Sequence, residues 1–158
     1  DKDELVLACL DKDEQERKAR FNTYFDNRKN VIDLLLNIHE DFLRFAKDVS
    51  PMFFVDLERY CSKVNDKYED EKERHRRETV DLLKIGVGEG VIRDDINIDI
   101  VAALLTAQFE LLKESDQVFG SEYTFTEIFE TIFKNFIRGI ATPEGVKYTD
   151  EFFAEKKK

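Results

Sequence analysis

The sequence predicts an all-α fold, and three observations carry that expectation. Apolar residues recur at helical spacing through most of the 158 positions. Only two Pro and six Gly interrupt them, and 38% of the residues are charged, the composition of long solvated helices. No stretch alternates apolar and polar residues as a half-buried strand would. A chain of this length can bury roughly 70% of its unfolded surface in one core, so a single domain over 1–155 is expected. About six helices and a short C-terminal helix account for the pattern.

Asp1 is placed to cap the first helix, with Glu4 at the capping-box position and Leu5, Ala8 and Cys9 as an apolar stripe. The segment Asp11–Arg20 is charged on all sides and reads as a solvated face laced by pairs such as Glu14 with Lys18 and Glu16 with Arg20. Phe21, Tyr24 and Phe25 then restore an apolar face. After a break at Asp26–Asn30, Val31 to Val49 is apolar on most of its circumference. That helix should run through the middle of the domain.

Ser50-Pro51 opens a short helix carrying Phe53, Phe54, Leu57, Tyr60, Cys61 and Val64. A charged stretch from Asn65 to Glu78 continues into Val80, Leu82, Leu83 and Ile85 as one long helix. Gly86, Gly88 and Gly90 must end it and turn the chain. Asn97 is placed to cap the next helix, which ends before a loop at Val118–Tyr123.

Thr124–Gly145 has the clearest helical signal. Phe125, Ile128, Phe129, Ile132, Phe133, Phe136, Ile137 and Ile140 form one wide apolar face. Thr124 and Glu127 supply a capping box, Gly139 is placed to end the helix, and Pro143 follows. That face is richer than a peripheral helix needs, which points to a partner helix. A short tail helix over Val146–Phe153 and a frayed Ala154–Lys158 complete the chain.

Lys+Arg 25 against Asp+Glu 35 gives a net charge of −10, so this chain by itself is a poor nucleic-acid binder. Cys9 and Cys61 are too few for a disulfide framework and read as reduced thiols of a cytoplasmic protein. No apolar run approaches the ~18 residues of a membrane span. The opening DKDELVL, without an initiator Met, reads as a fragment or a processed chain.

Catalytic and metal chemistry lack residue sets. GVGEG matches neither GxGxxG nor GxxxxGK[ST] and follows no strand. GxSxG and CxxC are missing too. Glu71, His75 and Glu78 share a helix face, but Arg74, Arg76 and Arg77 crowd the same turn. No enzymatic activity, metal or cofactor is expected. The residues instead suggest an aromatic ligand site among helices, lined by His39, Phe42, Phe45, Met52, Tyr60, Cys61, Gln108 and Phe109. Core packing is the competing account of the same residues. An open cavity among the second, third and sixth helices would favour the ligand site, and a filled core there would oppose it.

Three stretches resemble a known family. DKDELVLACL is similar to the start of the fourth helix of TetR/AcrR-family transcriptional regulators. LLKIGVGEGVIRDDINIDIVAALL resembles the turn between that family's seventh and eighth helices, and FIRGIATPEG the ending of its ninth. The resemblance implies a TetR-like C-terminal domain that senses a small-molecule effector and forms a homodimer through its last two long helices. It also implies a helix-turn-helix domain of about 45 residues upstream of Asp1, which would make the only DNA contacts. Effector binding would act through the lever Asp1–Phe25, with Tyr24 at its base touching the ligand. The subunit interface would draw on Val101, Leu105, Leu112, Phe125, Ile128, Phe129, Ile132, Phe133 and Phe136. The alternative is a helical adaptor that binds a protein through the Phe-rich face and no small molecule.

Overall fold

The computed structural model describes residues 1–157, without the side chains of Pro51 and Asp116. The fold is all-α. Its α-helices are α1 (Lys2–Asp26), α2 (Val31–Asp48), α3 (Pro51–Tyr60), α4 (Ser62–Gly88), α5 (Ile98–Leu111), α6 (Ser115–Phe119), α7 (Phe125–Ile140) and α8 (Pro143–Lys156). A 3-10 turn, Leu112–Glu114, joins α5 to α6. Among the described residues no helix is long and apolar enough to cross a membrane.

The middle of the bundle is α2, packed against α1, α4, α7 and α8. Its first turns are buried at Val31, Ile32, Leu34 and Leu36, as its apolar circumference requires. Asn30 caps it by accepting from the Asp33 N–H, and the Glu89 carboxylate accepts from the Val31 N–H at 2.8 Å. An anion at that position also suits the positive end of the helix dipole. From α7, Phe133, Ile137 and Ile140 complete one core with Val31, Ile32, Leu36 and Leu83. The capping box of α7 is formed: the Glu127 carboxylate accepts from the Thr124 N–H at 2.7 Å, and the Thr124 hydroxyl from the Glu127 N–H at 3.1 Å.

A clasp ties the end of α4 to the junction of α7 and α8. Gly90 has φ +78° and turns the chain. Val91 and Ile92 then lie beside Ala141 and Thr142, with Arg93 N–H donating to the Ile140 carbonyl at 2.8 Å and Thr142 N–H to the Val91 carbonyl at 3.0 Å. The Arg93 guanidinium adds a bond to the Gly139 carbonyl. Gly139 therefore lies inside α7 and does not end it; the helix runs one residue further and is capped by Ala141.

Other boundaries depart from the expectations. The chain breaks at Cys61, which is extended (φ −117°, ψ 103°) and buried, so α3 and α4 are separate helices. The break leaves its own backbone groups paired: Cys61 N–H bonds the Leu57 carbonyl, and the Cys61 carbonyl accepts from Val64 and Asn65. After α5 the chain continues helically through the 3-10 turn to Phe119. The tail helix is longer than expected because Thr142 caps it, with Pro143 at its first position, and it stays helical to Lys156. Lys158, expected to fray, lies outside the described residues.

The first helix is continuous over 25 residues yet buries none of them. Its expected stripe of Leu5, Ala8 and Cys9 is exposed; the half-buried row is Val6, Leu7, Leu10, Phe21 and Phe25 interleaved with charged Asp13, Glu14 and Arg20. Lys67 on α4 reaches Asp11 at 3.0 Å and Glu14 at 2.9 Å, and Lys63 reaches Asp1 at 3.1 Å. At its other end Arg20 pairs with Asp41 of α2 at 2.9 Å, not with Glu16. Surface ion pairs are screened by salt whereas an apolar core is not. Amide exchange in α1 should therefore accelerate in 1 M NaCl relative to α2 and α7; equal protection across the three would show that charge does not hold α1 in place.

Candidate functional site

Two turns of α2 and two of α7 meet through aromatic rings. His39 stacks on Phe133 with ring centres 4.2 Å apart and planes 15° from parallel, and on Phe129 at 5.5 Å and 5°. Phe42, one turn on, lies 4.1 Å from Phe129, and Phe109 reaches Phe129 from α5 at 5.4 Å. Phe125 closes the outer end against Phe42. These rings meet because His39 and Phe42 share one stripe of α2, while Phe125, Phe129 and Phe133 recur every four residues on α7. At such separations they fill the space between the helices. The neighbouring void is a cleft of about 320 Å³ between α2 and α7, lined by Glu40, Leu43, Arg44, Ala46, Lys47, Thr126 and Glu130.

His39 is the anomaly of the cluster. It is 1% exposed, and neither ring nitrogen has a hydrogen-bond partner. The nearest carboxylate oxygen, on Glu40, is 3.8 Å from Nδ1, beyond hydrogen-bond reach. Burial, with a smaller contribution from the nearby Lys134 ammonium, pushes its pKa down from 6.5 to about 4. The imidazole is therefore neutral near pH 7, with one nitrogen able to donate and the other to accept. Buried polar groups are nearly always paired, and an unpaired one costs about 1–3 kcal/mol.

The structure gathers three of the expected ligand residues, His39, Phe42 and Phe109, and disperses the rest. Phe45 belongs to a separate pair with Phe54, and Met52 is half-buried at the start of α3. Cys61 is buried at the α3–α4 break. Tyr60 is 80% exposed and Gln108 is exposed too, so neither lines a site. Tyr24 donates to Asp41 at 3.2 Å and accepts from Arg44. Asp41 is two residues from His39, hence on the opposite side of α2, so Tyr24 fastens α1 and does not touch the cluster.

The expected interface residues are also redistributed. Leu112, Ile128 and Phe133 are buried inside the chain and have no surface to give a second copy. Phe125 and Phe129 belong to the ring cluster. Val101, Leu105, Ile132 and Phe136 are half-buried. The open face of α5 is instead the row Ile100, Ala103, Leu104, Ala107 and Leu111, with Ile100 and Leu104 each 57% exposed and Leu111 44%. The core and outer rows of α5 are both apolar, so helical spacing alone could not rank them.

Glu14, Glu71 and His75 could bring three ligand atoms within 4.8 Å of one another, but that place is held by a cation already. Lys67 Nζ lies 2.9 Å from Glu14 and 3.1 Å from Glu71, with Arg74 beside them. The hydrogen bond from Lys67 is the main reason the Glu14 pKa falls to about 2. A divalent ion would have to displace both bases, so the cluster reads as an α1–α4 clamp. A second polar group, Glu58, Tyr68, Glu110 and Lys113, links α3, α4 and α5 in the same self-satisfied way: Lys113 pairs with both carboxylates and lies 3.7 Å over the Tyr68 ring. Burial, then the bond to Glu110, pushes the Tyr68 pKa up. No protein-family model, curated protein or solved structure matches the chain.

Proposed function

We propose that the chain is the dimerising, ligand-sensing part of a transcriptional regulator similar to the TetR/AcrR family. The observation that carries this reading is the outer face of α5. Ile100, Ala103, Leu104, Ala107 and Leu111 run along three turns without a charge, over about 17 Å. On a protein that is 38% charged, such a row marks a contact surface. One helix face falls well short of the ~800 Å² per partner of a stable interface. The neighbouring α7, with half-buried Ile132 and Phe136, would have to join it. Two such pairs related by a two-fold axis make a self-complementary four-helix contact.

Further support comes from the clasp, in which the GVGEGVIR and GIATPEG stretches that carry the resemblance lie directly against each other. The ion-paired seating of α1 suits an element that moves, since its attachment is weak beside that of α2. In this reading DNA is bound only by a helix-turn-helix domain upstream of Asp1, and the role is regulatory, without catalysis or cofactor. Sedimentation should give about twice the 18.6 kDa of one chain, and Leu104→Glu with Leu111→Glu should return the mass to one chain while the helical signal is kept. A wild-type monomer at tens of micromolar would sink the reading. The adaptor reading has one observation on its side, the rings that already fill the space between α2 and α7. Its expected docking surface is the Phe-rich face, whose Phe129 and Phe133 pack on α2, so it requires a monomer in which a different protein docks on the α5 face instead.

A further inference from the structure

We propose that the ring cluster around His39 is the effector site and that it takes an uncharged, planar aromatic compound carrying a hydroxyl or carbonyl group, a proposal that deepens the regulatory reading above. Three features define the guest. Four rings are layered: the planes of the His39–Phe133, His39–Phe129 and Phe109–Phe129 pairs lie 15°, 5° and 24° from parallel, while Phe42 is tilted by 32° against Phe129. Edge-on contacts are equally open to aromatic pairs, so a layered set is the arrangement into which a flat guest slides by taking the place of one ring. Phe129 is that ring, because it touches His39, Phe42, Phe109 and Phe133 and is only half-buried.

The second feature is the pair of unpartnered nitrogens on a side chain with 1% exposure. A hydroxyl or carbonyl on the guest would supply the missing bond, which a hydrocarbon cannot. The third is charge. The rings carry none, and the flanking groups, Glu40 and Lys134, oppose each other in sign. An ionised guest would lose its hydration without a dedicated counter-ion. The cleft of about 320 Å³ between α2 and α7 is lined by none of these rings, so the guest enters by displacing the half-buried Phe129 side chain. Since Phe109 belongs to α5, a guest that displaces Phe129 also presses on the helix whose outer face is the proposed dimer contact.

The test is a comparison of 2-naphthol, naphthalene and 2-naphthoate by calorimetry, with the His39 ring nitrogens followed by NMR and the mass measured on the same samples. The expected result is at least tenfold tighter binding of 2-naphthol than of either comparison compound, with a shift of one or both His39 nitrogens. His39→Leu, close in volume, should bind 2-naphthol and naphthalene alike. Equal affinities in the wild type, absence of binding, or a preference that survives His39→Leu would overturn the proposal. Should that variant fail to fold, the wild-type preference and the nitrogen shift decide the matter. A dimer without the naphthol preference removes this ligand class and leaves the dimer reading standing; a monomer with it does the reverse.

Discussion

Gly145→Ala should cost about 3 kcal/mol of stability, because a Cβ at this position would lie 2.3 Å from the Val91 carbonyl oxygen and 3.1 Å from the Ala141 side chain. The obstacle is backbone, and it is fixed: the same carbonyl accepts the Thr142 N–H, and the Thr142 hydroxyl bonds the Gly90 carbonyl at 2.8 Å. A flexible side chain could swing away, but Val91 cannot move without opening the clasp. For a chain of this size the loss corresponds to a melting temperature roughly 6–12 °C lower. Gly88→Ala is the matched control, since a methyl group there would meet nothing within 4 Å and alanine is the better helix former. Calorimetric melts of the two variants check the point. Equal midpoints would mean that α8 does not sit against the α4 turn as tightly as the structure has it.

That clasp also shows where sequence reading stops. Gly86, Gly88 and Gly90 are legible as the end of a helix, since glycine is the usual residue there. What the glycines approach is not legible, because Ile92 packs onto Gly86 through a local turn while Gly145 meets Val91 across more than fifty residues. The extent of α7 is readable to within a residue from its capping box and its single apolar side, and the central place of α2 from an apolar surface that covers most of its circumference. In α5 the two apolar rows, Val101–Leu105–Leu112 and Ile100–Leu104–Leu111, differ by a single residue in register. Only the packing of α4 and α7 decides which row turns inward. The break at Cys61 carries neither Gly nor Pro, so local propensity gives no warning of it. For the candidate site, His39 stands out as a polar residue on an apolar helix, and Phe42 and Phe109 do join it. Phe129 and Phe133 read from sequence as contacts to a second subunit because a row of eight apolar residues looks too wide for one core; the rings of α2 and α5 are what it covers.

His39 itself makes the stability of the chain depend on pH between about 6.5 and 4. The folded chain keeps its imidazole neutral down to about pH 4, whereas in the unfolded chain it takes up a proton near 6.5. Between these values the unfolded state binds more protons, so stability is full above pH 6.5 and is lost as the pH falls toward 4. The whole interval corresponds to roughly 3 kcal/mol, and the step from pH 7 to pH 5 to about 2 kcal/mol. Carboxylates held below their ordinary values, Glu14, Glu73, Asp95, Glu110 and Glu127, begin to lose their contributions near pH 5 and lose most of them below it. They add only a minor loss at pH 5, which the His39→Leu variant shares and so subtracts. Urea unfolding at pH 7 and pH 5, at one protein concentration because an oligomer's stability depends on it, should therefore show the drop in the wild type and a nearly flat profile in His39→Leu. The variant should also be no less stable than the wild type at pH 5, since it removes an unpaired polar group and nearly preserves volume. A wild type that is flat from pH 7 to pH 5 would mean that the imidazole is solvated or paired in solution, and the argument for an outside partner at His39 would go with it.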